Sequence, residues 1–137
     1  MAGVARCVTG WEILISRHFP AAGYSRWYDM QTFPCPYLGG KVELTDERAA
    51  HIADTHPDLL PRYLAQIGLT LSDPDQVRRS ARMSAVRLFS RWYDDVRQGK
   101  YVVVVVVSEG IPDERHWIIT AYLARRLAAG EVEWSKS

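Results

Sequence analysis

Cysteine is scarce in this chain, and lysine nearly so. The two cysteines, Cys7 and Cys35, stand far apart without a CxxC or Cys/His spacing. That argues against a zinc site built on them and against a disulfide-rich scaffold, and it leaves a single bridge between them open. No apolar run approaches the roughly 20 residues of a membrane-spanning helix. The opening MAGVARCVTGWEILIS lacks the long apolar core of a secretion signal. A cytoplasmic location with no membrane partner is the expectation. A glycine-rich dinucleotide loop, a P-loop, an HExxH helix and a Gly-x-Ser-x-Gly elbow are all missing. So are internal repeats and low-complexity stretches. A formal net charge of +1 excludes a polyanion partner recruited by bulk charge alone.

What is present fits one domain, 1–137, long enough to bury a core, with 47% hydrophobic and 24% charged residues. Of the 17 basic residues only Lys41, Lys100 and Lys136 are lysines. Between Gln76 and Lys100 the arginines cluster: Arg78, Arg79, Arg82, Arg87, Arg91 and Arg97 face only Asp94 and Asp95. Such a polarised stretch would attract a polyanion despite the near-neutral total.

Two regions divide the chain. Residues 1–40 form an aromatic-rich β/loop segment, with short strands expected at Trp11–Ser16 and Tyr24–Met30 and breaks at Phe33-Pro34-Cys35-Pro36 and Gly39-Gly40. Residues 41–134 carry a helix pair and a sheet. Thr45 is a good N-cap, followed by Asp46 and Glu47 where the helix dipole favours negative charge. This helix should end near Thr55, because Pro57 disfavours helix at His56. A second starts at Pro57 or Pro61 and closes at Gly68. From Gln76 the hydrophobic period changes from 3.6 to 2, predicting strands at Val77–Ala81, Val86–Tyr93, Tyr101–Ser108 and His116–Arg125. Short links make an antiparallel meander the economical topology. The expected class is α+β: short helices packed on a four-stranded antiparallel sheet. Val102 to Val107 is apolar on both faces and should be interior, with the N-terminal segment covering the side away from the helices.

Alternation sorts the strand residues into an apolar face and a mixed one. Joining the two mixed faces would gather Arg87, Arg91, Tyr93, Thr120 and Tyr122 around a partly roofed cleft, a placement that depends on register. His51 lies in the first helix and His56 in the break before Pro57. With Asp54 and Asp58 they can be drawn as a metal set, but the spacing matches no ligand pattern. His116 reads as a solvated strand-start residue.

Several short motifs follow in order: Leu44-Thr45, His51-Ile52, His56-Pro57-Asp58, Thr70-Leu71, Pro74-Asp75 with Val77, Gly99-Lys100-Tyr101, and Ile119-Thr120-Ala121-Tyr122. From Lys41 to Arg126 this series resembles the phage- and bacteria-associated nuclease-like domains of the Barnase–EndoU–colicin–RelE (BECR) fold. The resemblance implies a helix pair on a four-stranded antiparallel sheet and RNA cleavage without metal or cofactor. A toxin-like or phage-derived role would add an antitoxin or immunity protein to RNA as a partner. By position the resemblance carries over His51, His56, Thr120 and Tyr122 as catalytic candidates. Arg87, Arg91 and Tyr93 come from the face reading as substrate-binding candidates. The alternative is a non-catalytic nucleic-acid-binding or protein-interaction module of the same fold. Oligomeric state is left open.

Overall fold

A computed structural model describes residues 30–110, 114–128 and 130–136. Cys7, the strand expected at Trp11–Ser16, all of that at Tyr24–Met30 except Met30, and residues 1–29 of the segment expected to cover the sheet lie outside the described residues.

Period-two alternation becomes strand wherever it was strongest. β1 (Met30–Cys35) leads through a one-turn 3-10 helix at Pro36–Leu38 into β2 (Gly40–Thr45). Two helices follow, α1 (Asp46–Thr55) and α2 (Leu64–Ser72). Then come β3 (Gln76–Arg79), β4 (Val86–Tyr93), β5 (Lys100–Glu109), β6 (Arg115–Ala124) and β7 (Glu131–Ser135). Among the described residues the sheet has seven strands, in the order β1-β2-β6-β5-β4-β3-β7.

The expected four-stranded antiparallel sheet is therefore wrong as a description of the fold. An antiparallel run from β6 to β3 forms the middle of a larger mixed sheet. The β1–β2 hairpin joins one side through a parallel contact that sets Glu43 opposite Trp117. The strand β7 closes the other side, antiparallel to β3. The supposed breaks around Pro34 and Gly39 are the hairpin's own parts. Pro34 sits in edge strand β1, where a missing N–H is tolerated, and Gly39 takes the left-handed conformation (φ 73°) that turns the chain.

Both helices begin and end for local reasons. The Thr45 hydroxyl accepts from the Arg48 N–H at 3.1 Å, and α1 stops at Thr55 before His56-Pro57. α2 does not stop at Gly68 but runs through it to Ser72. Glycine is needed there for close approach, because a Cβ would lie 2.9 Å from the Phe33 ring. The main core lies between the helices and one face of the sheet. Ile52, Ile67 and Leu71 pack there against Val42, Leu44, Phe89, Val102, Val104 and Ala121. A smaller cluster of Val86, Val107 and Trp117 belongs to the other face. Val102 to Val107 does occupy a central strand, paired on one side by β4 and on the other by β6. Among the described residues no helix is long and apolar enough to cross a membrane.

Candidate functional site

Register decides which side chains can meet. Paired residues share a face, so Arg87 goes with Val106, Arg91 with Val102 and Tyr93 with Lys100. Phe89 and Tyr93 belong to the main core, which makes this arginine-bearing side of β4 the helix-covered one. On β6, Thr120 pairs with Val105 and Tyr122 with Val103. Those valines face the other way, alongside Leu88 and Ser90. The five residues expected on one mixed face are thus divided between the two sides of the sheet. The arginine in the same cross-sheet row as Thr120 is Arg78, through Leu88 and Val105. It is buried; its Nη1 donates to the Ala128 carbonyl at 2.6 Å, while Nε and Nη2 meet no acceptor among the described residues.

The residues on the helix side are engaged inside the fold. The Tyr93 hydroxyl is buried, donating to the Gln66 carbonyl at 3.0 Å and sharing a 2.9 Å hydrogen bond with Thr70. Arg91 Nη1 holds the Asp73 carboxylate at 2.9 Å beside the end of α2. Arg87 Nε donates to Glu133 at 2.9 Å. Arg97 Nε donates to the Asp58 carbonyl and Lys100 Nζ to the Arg97 carbonyl. Much of the positive run seen in the sequence is thereby tied down locally.

A second group forms where α1 ends. β2 gives way to α1 about two residues after Glu43 meets Trp117, so it stops short of Tyr122. There the His56 ring stands 6.2 Å from the Tyr122 ring, centroid to centroid, at 40°. Thr120 lies two positions back on the same side of β6, roughly 7 Å along the strand. His51 is exposed on the last turns of α1. Desolvation and the Arg48 guanidinium one turn earlier hold its imidazole below the usual histidine range; Asp54 opposes them, and the nearby His56 adds a lesser push downward. Of the four residues carried over by resemblance, His56 and Tyr122 approach each other at this margin, Thr120 lies two positions back on β6, and His51 lies within electrostatic reach of His56. Among the described residues no three His, Cys, Asp or Glu side chains gather to hold a metal ion, so His51, Asp54, His56 and Asp58 do not form such a set.

No protein-family model, curated protein or solved structure matches this chain.

A third group was not visible in the sequence. Tyr37, Arg79 and Arg87 surround the carboxylate of Glu133. Close by, His116 is buried rather than solvated, with its Nδ1 2.7 Å from the Ser108 hydroxyl. Burial lowers its pKa, and the Arg87 charge adds to the effect while Glu114 and Glu43 oppose it. A β-bulge explains the misreading. Val105 pairs with Thr120 but Val106 pairs with Ile118, so Ile119 is an extra residue and alternation reverses across it.

Proposed function

We propose that this chain is a ribonuclease-like domain that cleaves RNA phosphodiesters without a metal ion, with its reacting groups at the end of α1 and the margin of β6. The observation that carries the reading is the approach of His56 to Tyr122. It joins two motifs far apart in sequence, and Arg48 and His56 both lie close enough to His51 to lower its pKa.

Cleavage of this kind needs a base, an acid and a cation. His51, kept neutral near pH 7, accepts the 2′-hydroxyl proton. The 2′-oxygen then bonds to phosphorus as the bond to the 5′-oxygen breaks. His56, when protonated, or the Tyr122 phenol donates a proton to that leaving oxygen, giving a 2′,3′-cyclic phosphate and a free 5′-hydroxyl. Arg48 supplies positive charge on the same helix, and the Thr120 hydroxyl binds a phosphate oxygen.

The rival reading, a non-catalytic nucleic-acid-binding or protein-interaction module, is favoured by the engagement of Arg87 and Arg91 with internal carboxylates. Labelled single-stranded RNA incubated with the protein in EDTA separates the two. Cleavage to cyclic-phosphate ends, reduced at least a hundredfold in both His51→Ala and His56→Ala, is the expected result. Salt-sensitive binding without cleavage would establish the module instead. Cleavage undiminished in both variants would move the chemistry elsewhere.

A further inference from the structure

Two arginines directly opposite each other across a strand pair repel, and an anion between them relieves the repulsion. Arg79 and Arg87 are such a pair. The anion is Glu133: Arg87 Nε donates to its Oε1 at 2.9 Å, the Tyr37 hydroxyl donates to the same oxygen at 2.9 Å, and Arg79 Nε pairs with Oε2. Two hydrogen bonds on one carboxylate oxygen and an ion-paired arginine at the other resemble the way a protein grips a phosphate group, with arginines supplying the charge and a hydroxyl completing the shell.

The carboxylate arrives there by an unusual route. β7 pairs Trp134 with Val77 and Val132 with Arg78, so Glu133 is an extra residue with no partner across the ladder. A bulge of this kind re-aims the side chain it inserts. β7 is also an edge strand, with Val132 49% and Trp134 38% exposed. Its sheet pairing among the described residues is to β3. The grip itself is reachable, since the Arg79 side chain is 35% exposed and Arg87 21%.

We propose that Tyr37, Arg79 and Arg87 form a binding site for a phosphate group, which the Glu133 carboxylate occupies until a ligand displaces it. The site lies on the helix-covered side of the sheet and does not depend on the nuclease reading. Its ligand chemistry is a phosphomonoester or a backbone phosphodiester; both present oxygens that replace those of Glu133.

The test titrates inorganic phosphate at constant ionic strength into the wild type, Glu133→Ala and Glu133→Gln, following the arginine Nε–H signals by NMR. Glu133→Ala empties the grip and should bind phosphate at least tenfold more tightly than the wild type. Glu133→Gln, neutral but still filling the space, should gain less. Adding Arg87→Ala to Glu133→Ala should abolish the gain. A short RNA oligonucleotide that competes with phosphate assigns the site to diesters, and one that does not assigns it to monoesters. A folded Glu133→Ala that binds phosphate no better than the wild type overturns the proposal, as does a gain that survives Arg87→Ala. If neither Glu133 variant folds, the carboxylate is a structural tie and the proposal falls.

Discussion

Replacing Gly68 by alanine sets two opposing effects against each other in one methyl group. In a helix interior alanine is favoured over glycine by about 1 kcal/mol. At this position, though, the new Cβ would stand 2.9 Å from Phe33 Cδ1 and 3.3 Å from Cε1. Real Cβ contacts are longer, so the ring or the helix must move. Overpacking of this kind costs about 1–3 kcal/mol. The Phe33 ring is held on β1 opposite Val42, inside the packed hairpin, which limits its retreat. The difference predicts that Gly68→Ala destabilises by about 1 kcal/mol, within a range of roughly 0–2. The decisive measurement is a double-mutant cycle by urea unfolding, with Phe33→Ala as the second change. Once the ring is gone only the helical preference remains, and Gly68→Ala should then stabilise by about 1 kcal/mol. The sign must invert between the two backgrounds, giving a coupling of about 2 kcal/mol. If alanine stabilises equally in both, the close approach does not govern this position.

Two further outcomes follow from the buried polar groups. Tyr93→Phe should cost about 1 kcal/mol by urea unfolding, because Thr70 keeps the Gln66 carbonyl as acceptor and no buried donor is orphaned; a loss of several kcal/mol would show that the phenol holds more than this. Acid should weaken the fold in two stages. Burial holds His116 below its unfolded pKa of about 6.5, so its contribution is complete above that value and is lost as pH falls through the folded one. Burial works to raise the Glu133 carboxyl, but hydrogen bonds from Arg87, Tyr37 and Arg79 outweigh it and keep the carboxyl low. Its contribution is complete above an unfolded pKa of about 4.3 and fades as pH falls further. The urea midpoint measured against pH should lose its upper limb in His116→Asn and its lower limb in Glu133→Gln. Unchanged acid limbs in both would refute the assignment.

The legible parts of this fold are those that neighbouring residues determine. Thr45 caps its helix by a contact three residues away, Pro57 ends that helix through its immediate neighbour, and Val86–Tyr93 alternates over its whole length. Long-range pairings left no such local trace. Glu-Val-Glu-Trp-Ser is too short and too charged to advertise a strand, yet β3 takes it as an edge partner. The parallel contact of β2 with β6 is accompanied by an ion pair between Glu43 and Arg115, 72 positions apart. Part of the candidate site was hidden for a different reason. Val86, Leu88 and Trp92 looked like the side of β4 that helices should cover, but Phe89 and Tyr93 fill that role. Arg87 and Arg91 share that face by period-two alternation, and each guanidinium there reaches a carboxylate, Glu133 or Asp73. His56 and Tyr122 were picked out by motif, not by geometry; nothing in their spacing indicates that their rings approach.

The extra residue at Ile119 has a consequence for how substitutions along β6 read. It is a phase slip: before it His116 and Ile118 answer to the helix side, and after it Ala121 and Leu123 do, with Thr120 and Tyr122 turned away. One strand thereby serves two chemically different neighbourhoods, one on each side of the sheet, which meet at the margin where His56 reaches Tyr122. A polar change two residues from another can therefore meet opposite tolerance, as though the ten residues of β6 were two short strands spliced end to end.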